Sequence, residues 1–291
     1  MIAVKLWGGL GNQMFQYAFG HFLARNRNEK PVFFNEGHQQ NQEQIAISNF
    51  NVSLNLLTYQ ELKKLGYVVS NSFFYRIKRK LIQYFPFVNK AILVEKELNY
   101  LSNIKENYSL FDGYWQSYKY LEPIEDKLRA DFTFHNNVIS NIDLYNNICN
   151  EISISLHIRR GDYLVGKNAK IYESCPLNYY LTAVRQMKER FISPVFYVFS
   201  NDLEWAKNHL KVPNDVQLRF VDNSDCSEVA IADLFLMSSC KHHIIANSTF
   251  SWWGAWLNPS KEKKIIAPAK WYVGTRNKTT KDLIPPEWDR L

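Results

Sequence analysis

The chain has 291 residues, 46% of them hydrophobic and 22% charged, a composition typical of one or two folded globular domains. Its formal net charge of +7 favours anionic partners, but no nucleic-acid-binding motif accompanies the charge, so we expect no nucleic-acid partner. The excess of Lys and Arg over Asp and Glu is 16 to 13 in residues 1–150 and 19 to 15 in residues 151–291, which predicts an evenly spread charge.

Membrane and disulfide signals are missing from the sequence. It has no apolar run of 18 residues and no signal peptide, so we expect a cytoplasmic protein without a membrane-spanning helix. The four cysteines lack C-x-x-C spacing and are predicted to be reduced thiols rather than a disulfide framework or a zinc site.

The first predicted element is a strand over residues 2–7, followed by the glycine-rich turn Gly8-Gly9-Leu10-Gly11 and a helix. Three glycines in four residues permit positive φ angles and a close approach of the backbone to a ligand. The turn lacks the G-x-G-x-x-G spacing of dinucleotide sites. We therefore interpret it as a turn whose Asn12 and Gln13 amides project into a cleft, although Asn12 also fits a helix N-cap.

The next elements are a strand at 30–34, a polar stretch over 35–53 and a short helix near 58–66. Residues 73–85 then combine four cations with eight apolar or aromatic residues at helical spacing. Two interpretations fit this segment. It is either a helix at a membrane surface or an ordinary surface helix with a charged face.

Residues 110–117 are predicted to form a strand that opens into a loop carrying Tyr114, Trp115 and Gln116. Their residue types are compatible with packing in a core. Helices are predicted over 121–132 and 138–149. We place the domain boundary after residue 150, where the next strand begins.

That strand, over residues 152–158, alternates aliphatic residues with Ser and His and then reaches His157, Arg159, Arg160, Gly161 and Asp162. A guanidinium at the carboxyl end of a strand can donate two parallel hydrogen bonds to a phosphate. A structural Arg–Asp ion pair within this stretch is the alternative.

Strands at 194–200, 216–221, 241–246 and 264–267 alternate with helices in the remaining sequence, which predicts a parallel, doubly wound sheet. Ligands of such sheets bind outside the carboxyl ends of the strands. The residues at those predicted ends are His157, Arg159, Asp202, Asp222 and Asn247.

Asn247-Ser248-Thr249 ends a predicted strand and begins a short Trp-rich helix. Hydroxyl groups and backbone N–H groups at a helix start can bind phosphate, although simple N-capping uses the same residues. The stripe Trp252, Trp253 and Trp256 is predicted to pack in the core. The neighbours His242 and His243 point to opposite faces of a strand, and no D-x-D motif occurs, so no metal site is predicted.

Three stretches together resemble glycosyltransferase family 11, the inverting alpha-1,2-fucosyltransferases, in a bacterial form. They are residues 8–17 (G-G-L-G-N-Q-M-F-Q-Y), the motif His157-x-Arg159-Arg160-x-Asp162, and residues 247–257 (N-S-T-F-S-W-W-G-A-W-L). The second motif resembles one that alpha-1,6- and protein O-fucosyltransferases also share. The resemblance runs from about Lys5 to Trp271.

The resemblance implies an α/β fold of GT-B type: two Rossmann-type domains facing a cleft, with residues 1–150 on the acceptor side and residues 151–291 binding GDP-fucose. It further implies that Arg159 and the start of the Trp-rich helix hold the pyrophosphate and that Asp222 accepts hydrogen bonds from guanine. The implied catalytic residues are His157, Arg159, Asp162, Asn12 and Gln13; the donor-binding ones are Gly9, Gly11, Arg160, Asp202, Asp222, Asn247, Ser248, Thr249 and Phe250; the acceptor-binding ones are Tyr114, Trp115 and Gln116.

The implied reaction is inverting transfer of L-fucose from GDP-β-L-fucose to the 2-hydroxyl of a galactose-terminated or lipid-linked glycan, with no metal or other cofactor. Such a reaction belongs to O-antigen or oligosaccharide biosynthesis and is compatible with peripheral contact at the inner membrane face. His157 and Asp162 are the candidates for a general base, and late, unassisted proton loss fits equally well. The alternatives are a non-catalytic glycan- or nucleotide-binding protein and a protein O-fucosyltransferase.

Overall fold

The computed structural model describes residues 1–35, 45–65, 73–85, 89–135, 138, 141–166, 168–172, 174–226 and 228–291. The chain divides into two compact units. The first comprises Met1–Thr133 with Thr279–Leu283, and the second comprises Phe134–Lys278 with Ile284–Leu291.

The division at residue 133 differs from the boundary predicted after residue 150. The helix that precedes that predicted boundary packs on the second unit, because Tyr145 stacks on Phe235 and Ile148 joins a core cluster with Val195 and Tyr197. A boundary placed at the start of the strand leaves this helix in the first unit, although it packs against the sheet of the second.

The first unit is a parallel sheet with strand order β2-β1-β4-β3. Its central helix lies so close to the sheet that a Cβ on Gly20 would come within 2.9 Å of the Phe33 ring. The short strand at 92–94 was not predicted, since three apolar residues carry no readable alternation. The elements are β1 (Ile2–Lys5), α1 (Leu10–Arg27), β2 (Pro31–Phe34), α2 (Tyr59–Lys64), α3 (Phe73–Tyr84), β3 (Ile92–Val94), β4 (Leu110–Asp112) and α4 (Glu125–Asp131).

The second unit is a larger parallel sheet with strand order β10-β9-β8-β5-β6-β7. This confirms the predicted α/β class and the parallel, doubly wound sheet. The elements are α5 (Ile142–Asn150), β5 (Ser153–Ile158), α6 (Leu177–Arg190), β6 (Val195–Ser200), α7 (Leu203–His209), β7 (Gln217–Phe220), α8 (Val229–Ser239), β8 (His242–Ile244), α9 (Thr249–Leu257), β9 (Ile265–Ala267) and β10 (Asp289–Arg290).

Helices cover both faces of this sheet, as its alternating side chains require. Phe196 and Val198 of β6 pack with α6, whereas Val195, Tyr197 and Phe199 pack with α5 and α8. Strands covered on both faces are apolar throughout, which explains the continuous apolar run over β6. Within the part of the chain that the structure describes, none of the helices is both long and apolar enough to cross a bilayer.

Candidate active site

The strand order of the second unit fixes where a ligand should bind. Starting from β5, successive strands are added on one side as β6 and β7 and on the other as β8, β9 and β10. The direction of winding therefore reverses between β5 and β8. In open α/β sheets the crevice at this reversal, outside the carboxyl ends of the two strands, is the ligand site.

The structure brings together the two motifs that follow these strand ends. The ring centroid of His157 lies 5.8 Å from that of Phe250 in the first turn of α9. The hydroxyl of Tyr163 donates a hydrogen bond to the carbonyl of Asn247, immediately before that helix, at 3.2 Å. Motifs about 90 residues apart in sequence thus meet at the reversal.

The two arginines of the motif diverge. The Arg159 guanidinium carbon lies over the Tyr163 ring, 5.5 Å from its centroid. The Arg160 guanidinium stacks 3.7 Å from the centroid of Trp205, and its Nε lies 3.6 Å from a carboxylate oxygen of Asp202. Consecutive residues leaving a strand point to opposite sides, so the two guanidinium groups lie against different partners. Arg160 forms an ion pair with Asp202, and an ion pair of this kind is the structural alternative to ligand binding.

The backbone after Arg160 turns sharply at Gly161. Its φ is +39°, and a Cβ there would come within 2.6 Å of the Asn201 amide nitrogen. Asn201 in turn accepts a hydrogen bond from the Arg160 N–H at 2.9 Å. Asp162 follows within a short 3₁₀ turn, and its side chain lies outside the described residues.

The start of α9 is capped as the sequence suggested. The Ser248 hydroxyl accepts a hydrogen bond from the Phe250 N–H at 3.3 Å, and Thr249 and Phe250 are half-buried. Asn247 differs from expectation, because its side chain is fully buried. Its amide nitrogen donates to the Trp271 carbonyl and its amide oxygen accepts from the Cys175 thiol. Asn247 therefore holds the strand end in place instead of presenting its amide to a ligand.

The predicted packing role of the tryptophans is confirmed for Trp252 and Trp253, which are fully buried. His242 and His243 also lie as predicted. His242 stacks on Phe191, whereas His243 contacts Ser155 and Asn258. No group of three His, Cys, Asp or Glu side chains within the described ranges is arranged to hold a metal ion.

His157 is a buried titratable group at this strand end. Burial, followed by the positive charge of Arg159, lowers the pKa of His157 from 6.5 to about 3. Its Nδ1 is buried and has no hydrogen-bond partner among the described residues. The imidazole is therefore neutral at physiological pH and carries an unsatisfied polar atom.

Asp202 and Asp222 follow the next two strands, β6 and β7. Asp202 caps α7, accepting a hydrogen bond from the Trp205 N–H at 3.2 Å. Asp222 is exposed, and hydrogen bonds from the Ser224 hydroxyl and N–H lower the pKa of its carboxyl. Of these two carboxylates, that of Asp222 is the more exposed.

In the first unit, the glycine-rich turn also follows the central strand of its sheet. Gly8 has φ +79°, and Gly9 is the exposed N-cap of α1, whereas Gly11 is buried within the helix. Asn12 is half-buried and accepts a hydrogen bond from the Gln116 amide at 2.9 Å. Two residues predicted for different roles are thus in direct contact.

Gln13 does not project into a cleft as predicted. It is buried, donates to the Gly8 carbonyl at 3.0 Å and accepts from the Ile47 N–H at 3.3 Å. Gln16, which was not predicted from the sequence, accepts a hydrogen bond from the Trp7 N–H and donates one to the Gly113 carbonyl. Its position one helical turn beyond Asn12 and Gln13 was the only available signal.

The predicted acceptor residues separate into two environments. Tyr114 is half-buried and stacks on Trp7, with 4.2 Å between ring centroids. Trp115 is buried instead, stacked on Phe19 at 4.0 Å, so it belongs to the core rather than to a binding surface. Gln116 is also largely buried.

A buried carboxyl group, also missed from sequence, holds this turn. Glu95 accepts hydrogen bonds from the Tyr114 N–H at 2.6 Å and the Trp115 N–H at 3.0 Å, and Trp115 has φ +56°. Burial raises the pKa of Glu95 from 4.5 to about 8, against the opposing effect of these two hydrogen bonds. A Cβ on Gly113 would come within 2.4 Å of Glu95, so this turn requires glycine there.

Comparisons with known proteins agree on one class of enzyme. The model of the family "Glycosyl transferase family 11" matches residues 1–291. An alpha-1,2-colitosyltransferase of Escherichia coli is 35% identical over all of this chain and 99% of its own length. The O-antigen biosynthesis glycosyltransferase WbnK of Escherichia coli is 34% identical over 95% of this chain and 97% of its own.

Among solved structures, the fucosyltransferase NodZ from Bradyrhizobium covers 87% of this chain and 91% of its own, with a TM-score of 0.54 and 13% identity. At that identity the similarity concerns the fold alone. It supports the predicted GT-B architecture with its two Rossmann-type α/β units.

Proposed function

The chain belongs to glycosyltransferase family 11, and from this membership we propose that it transfers L-fucose from GDP-β-L-fucose to the 2-hydroxyl of a galactose-terminated glycan. The acceptor would be an O-antigen or related oligosaccharide precursor, free or lipid-linked. The observation that carries the donor half of the proposal is the link between Arg159, Tyr163 and the start of α9. Arg159 lies over the Tyr163 ring, and the Tyr163 hydroxyl binds the Asn247 carbonyl just before the N-terminus of α9, at the reversal of strand order.

The pyrophosphate of the donor would lie at this point. A helix N-terminus presents backbone N–H groups and a partial positive charge, and Arg159 adds a planar donor fork suited to phosphate. The unpartnered Nδ1 of His157 supports the same location, since a buried nitrogen of this kind is satisfied by a ligand atom. Ser248, Thr249 and Phe250 would complete the phosphate contacts.

The guanine would lie towards β7, where Asp222 is exposed. Neighbouring strands are roughly 4.8 Å apart, so the end of β7 is about 10 Å from β5 and about 14 Å from β8. An extended nucleoside diphosphate bridges such a distance. The carboxylate of Asp222 can accept two hydrogen bonds, which matches the paired N–H donors on the guanine edge.

The reaction would be a single displacement. The acceptor 2-oxygen forms a bond to the fucose anomeric carbon while the bond from that carbon to the β-phosphate oxygen breaks. GDP leaves with the electron pair, and the β configuration inverts to α. Because negative charge grows on the leaving pyrophosphate, Arg159 and the N–H groups of α9 would supply most of the rate acceleration without a metal ion.

The acceptor hydroxyl must lose its proton during this displacement. His157 is a poor candidate for the base, because a group with a pKa of about 3 holds a proton only weakly at neutral pH. We therefore propose that His157 positions the phosphates. The proton would leave late, to solvent or to Asp162, whose location in the motif keeps it a candidate.

The acceptor would bind to the first unit. Asn12 supplies an amide beside Gln116, and the stacked pair Trp7 and Tyr114 offers a partly exposed aromatic surface suited to a pyranose ring. Gln13, Gln16 and Trp115 would act indirectly, by holding these groups in position.

The test is a product assay. The purified protein is incubated with GDP-fucose and a panel of β-galactosides, GDP release is followed, and the linkage of the product is determined by NMR. We expect an α-1,2-linked fucose on galactose and release of one GDP per product. Nucleotide binding without turnover would support the non-catalytic alternative, and fucosylation of folded protein domains alone would support protein O-fucosylation.

A second donor deserves direct comparison because of the 35% identical relative named as an alpha-1,2-colitosyltransferase. Colitose is L-fucose without its 3-hydroxyl group. A site that hydrogen-bonds that hydroxyl rejects the deoxy sugar by a factor on the order of 10⁴, whereas an apolar site discriminates by about 10² or less. The ratio of kcat/KM for GDP-fucose and GDP-colitose therefore identifies the natural donor.

A further inference from the structure

Over residues 77–84, helix α3 of the first unit presents polar side chains to its sheet and an apolar stripe to solvent. Its inward face carries Arg79, which makes two hydrogen bonds to the buried Asp112, and Gln83, which donates to the Glu95 carbonyl. Among the side chains of α3 that the structure describes, that of Ile82 belongs to the hydrophobic core. The described part of the helix therefore contacts its sheet largely through polar groups.

The outward face of α3 is apolar. Ile77, Leu81 and Tyr84 are 41%, 45% and 61% exposed, and Phe85, directly after the helix, is 48% exposed. Residues of an α-helix are offset by about 100°, so Ile77, Leu81 and Tyr84 fall in one narrow stripe. Isolated exposed apolar residues are normal in proteins, but a continuous stripe marks an interaction surface.

Cations border this stripe on both sides. The same angular offset places Lys78 beyond Leu81 and Lys80 beyond Tyr84, and both lysines are exposed. The ammonium group of Lys96 lies 5.6 Å from the centre of the Tyr84 ring. No acidic residue occurs in α3.

The surrounding sequence concentrates the charge further. Residues 62–96 contain eight Lys and Arg and a single acidic residue, the buried Glu95. This segment therefore accounts for the entire formal excess of +7, and the rest of the chain is balanced. The even distribution expected from comparing the two halves of the sequence is wrong at this finer scale.

From this arrangement we propose that α3 is a docking surface for an anionic lipid bilayer. The apolar stripe would enter the boundary between headgroups and acyl chains, and the flanking lysines would contact anionic headgroups. Tyr84 suits the same boundary, because its ring is apolar and its hydroxyl remains hydrated. The residues of this surface are different from those proposed to bind the nucleotide, and the surface would bring the enzyme to a membrane that carries lipid-linked substrates.

A bilayer fits this surface better than a second copy of the chain. Two copies meeting through α3 would bring Lys78 and Lys80 of each copy close to the same lysines of the other, which is unfavourable without opposing acidic groups. The stripe also lies on the outside of a single helix rather than in a groove that would receive a partner element.

The test is vesicle flotation of the full chain without nucleotide or sugar. We expect binding to vesicles of phosphatidylglycerol and phosphatidylcholine (1:3), at least tenfold weaker binding to phosphatidylcholine alone, and weaker binding at 300 mM than at 50 mM NaCl. The paired substitution Ile77→Gln/Leu81→Gln should lower the partition coefficient about tenfold or more. Lys78→Gln/Lys80→Gln should do the same for anionic vesicles, since each lysine near a charged surface contributes roughly fivefold.

The matched control for the apolar pair removes apolar side chains elsewhere that are at least as exposed, and that for the charged pair removes exposed lysines elsewhere. Ile142→Gln/Ile192→Gln and Lys211→Gln/Lys261→Gln should leave vesicle binding unchanged. Circular dichroism checks that each variant is folded. Equal binding of wild type and the Ile77/Leu81 variant would overturn the proposal, as would equal affinity for neutral and anionic vesicles. A dimer in light scattering that this variant abolishes, without vesicle binding, would identify α3 as a protein interface instead.

Discussion

The two units have a similar glycine turn after a central strand, but the side chains around the turn are neutral in the first unit and include a cation in the second. Each has a glycine with positive φ three residues beyond the end of the strand, Gly8 in the first unit and Gly161 in the second. In each, a Cβ on that glycine would lie 2.6 Å from an asparagine amide nitrogen, that of Asn12 or Asn201. The turn geometry is shared, although the sequences differ.

The side chains around the two turns differ in kind. Neutral amides line the turn of the first unit: Asn12 and Gln116 bond to each other, whereas Gln13 and Gln16 bond to the backbone. The turn of the second unit has a cation, Arg159, over the ring of Tyr163, whose hydroxyl binds the residue before α9. A parallel sheet thus provides the location, and the residues after the strand decide whether it suits a neutral sugar or a charged pyrophosphate.

The largest expected effect on activity comes from removing the cation of the second unit, Arg159. Arg159→Ala should lower kcat/KM about a thousandfold, since it removes a preorganised donor from the leaving group. It should also weaken GDP binding in calorimetry. Arg159→Lys should recover only part of the activity, because an ammonium lacks the planar fork. Arg185→Ala, an exposed arginine on α6, is the matched control and should behave as wild type; activity of Arg159→Ala within tenfold of wild type would contradict the assignment.

Substitutions among the neutral amides of the first unit should affect the acceptor rather than the nucleotide. Asn12→Ala should lower kcat/KM for the acceptor by about ten- to a hundredfold while leaving the GDP dissociation constant unchanged, because Asn12 belongs to the unit proposed to bind the acceptor. The measurement is steady-state kinetics with varied galactoside, together with GDP titration. A change in GDP affinity as large as that of Arg159→Ala would remove the proposed division of labour.

Substituting either turn glycine tests whether the shared geometry is required. Gly8→Ala and Gly161→Ala should each destabilise the protein by about 1–2 kcal/mol from the left-handed φ alone, with an added steric cost. In the second unit, Asn201→Ala should remove the steric part, so Gly161→Ala/Asn201→Ala should be less destabilised than the sum of the single changes. Urea unfolding provides the values, and strict additivity would argue against the close approach.

Buried titratable groups give the two units opposite pH dependence. His157 has a pKa lowered from 6.5 to about 3, so the unfolded state takes up a proton first and stability falls as pH drops through this window. Glu95 has a pKa raised from 4.5 to about 8, so the unfolded state loses its proton first and stability falls as pH rises through that window.

Urea midpoints measured from pH 4 to 9 separate these contributions. His157→Gln should reduce the fall of the urea midpoint towards acidic pH. Glu95→Gln should reduce the fall of the midpoint as the pH rises from 5 to 8. The pH profile of kcat/KM should lack an inflection near 6.5. An inflection there that disappears in His157→Gln would mean that His157 titrates normally.

Removal of metal ions is expected to have no effect on kcat. If Arg159 and the α9 N–H groups neutralise the leaving group, EDTA treatment followed by gel filtration should leave kcat unchanged. Restoration of a lost activity by Mg²⁺ or Mn²⁺ would require a metal at the pyrophosphate and would replace this part of the mechanism.

Sequence patterns identified what depends on local chemistry. The alternation over β5, the apolar run over β6 and the polar residues at strand ends were sufficient to predict a parallel, doubly wound sheet. The order of the three motifs was sufficient to indicate the family. These features depend on side-chain periodicity and residue type, which neighbouring residues carry.

Only the tertiary structure determined which way individual side chains point. Arg160 turned to Trp205 and Asp202, Gln13 and Trp115 turned inward, and the apolar stripe of α3 turned outward. Each orientation depends on a partner distant in sequence, such as Asp112 for Arg79 or Phe19 for Trp115. Periodicity shows that a helix has two faces, but the burial of a face is decided by what the rest of the chain places against it.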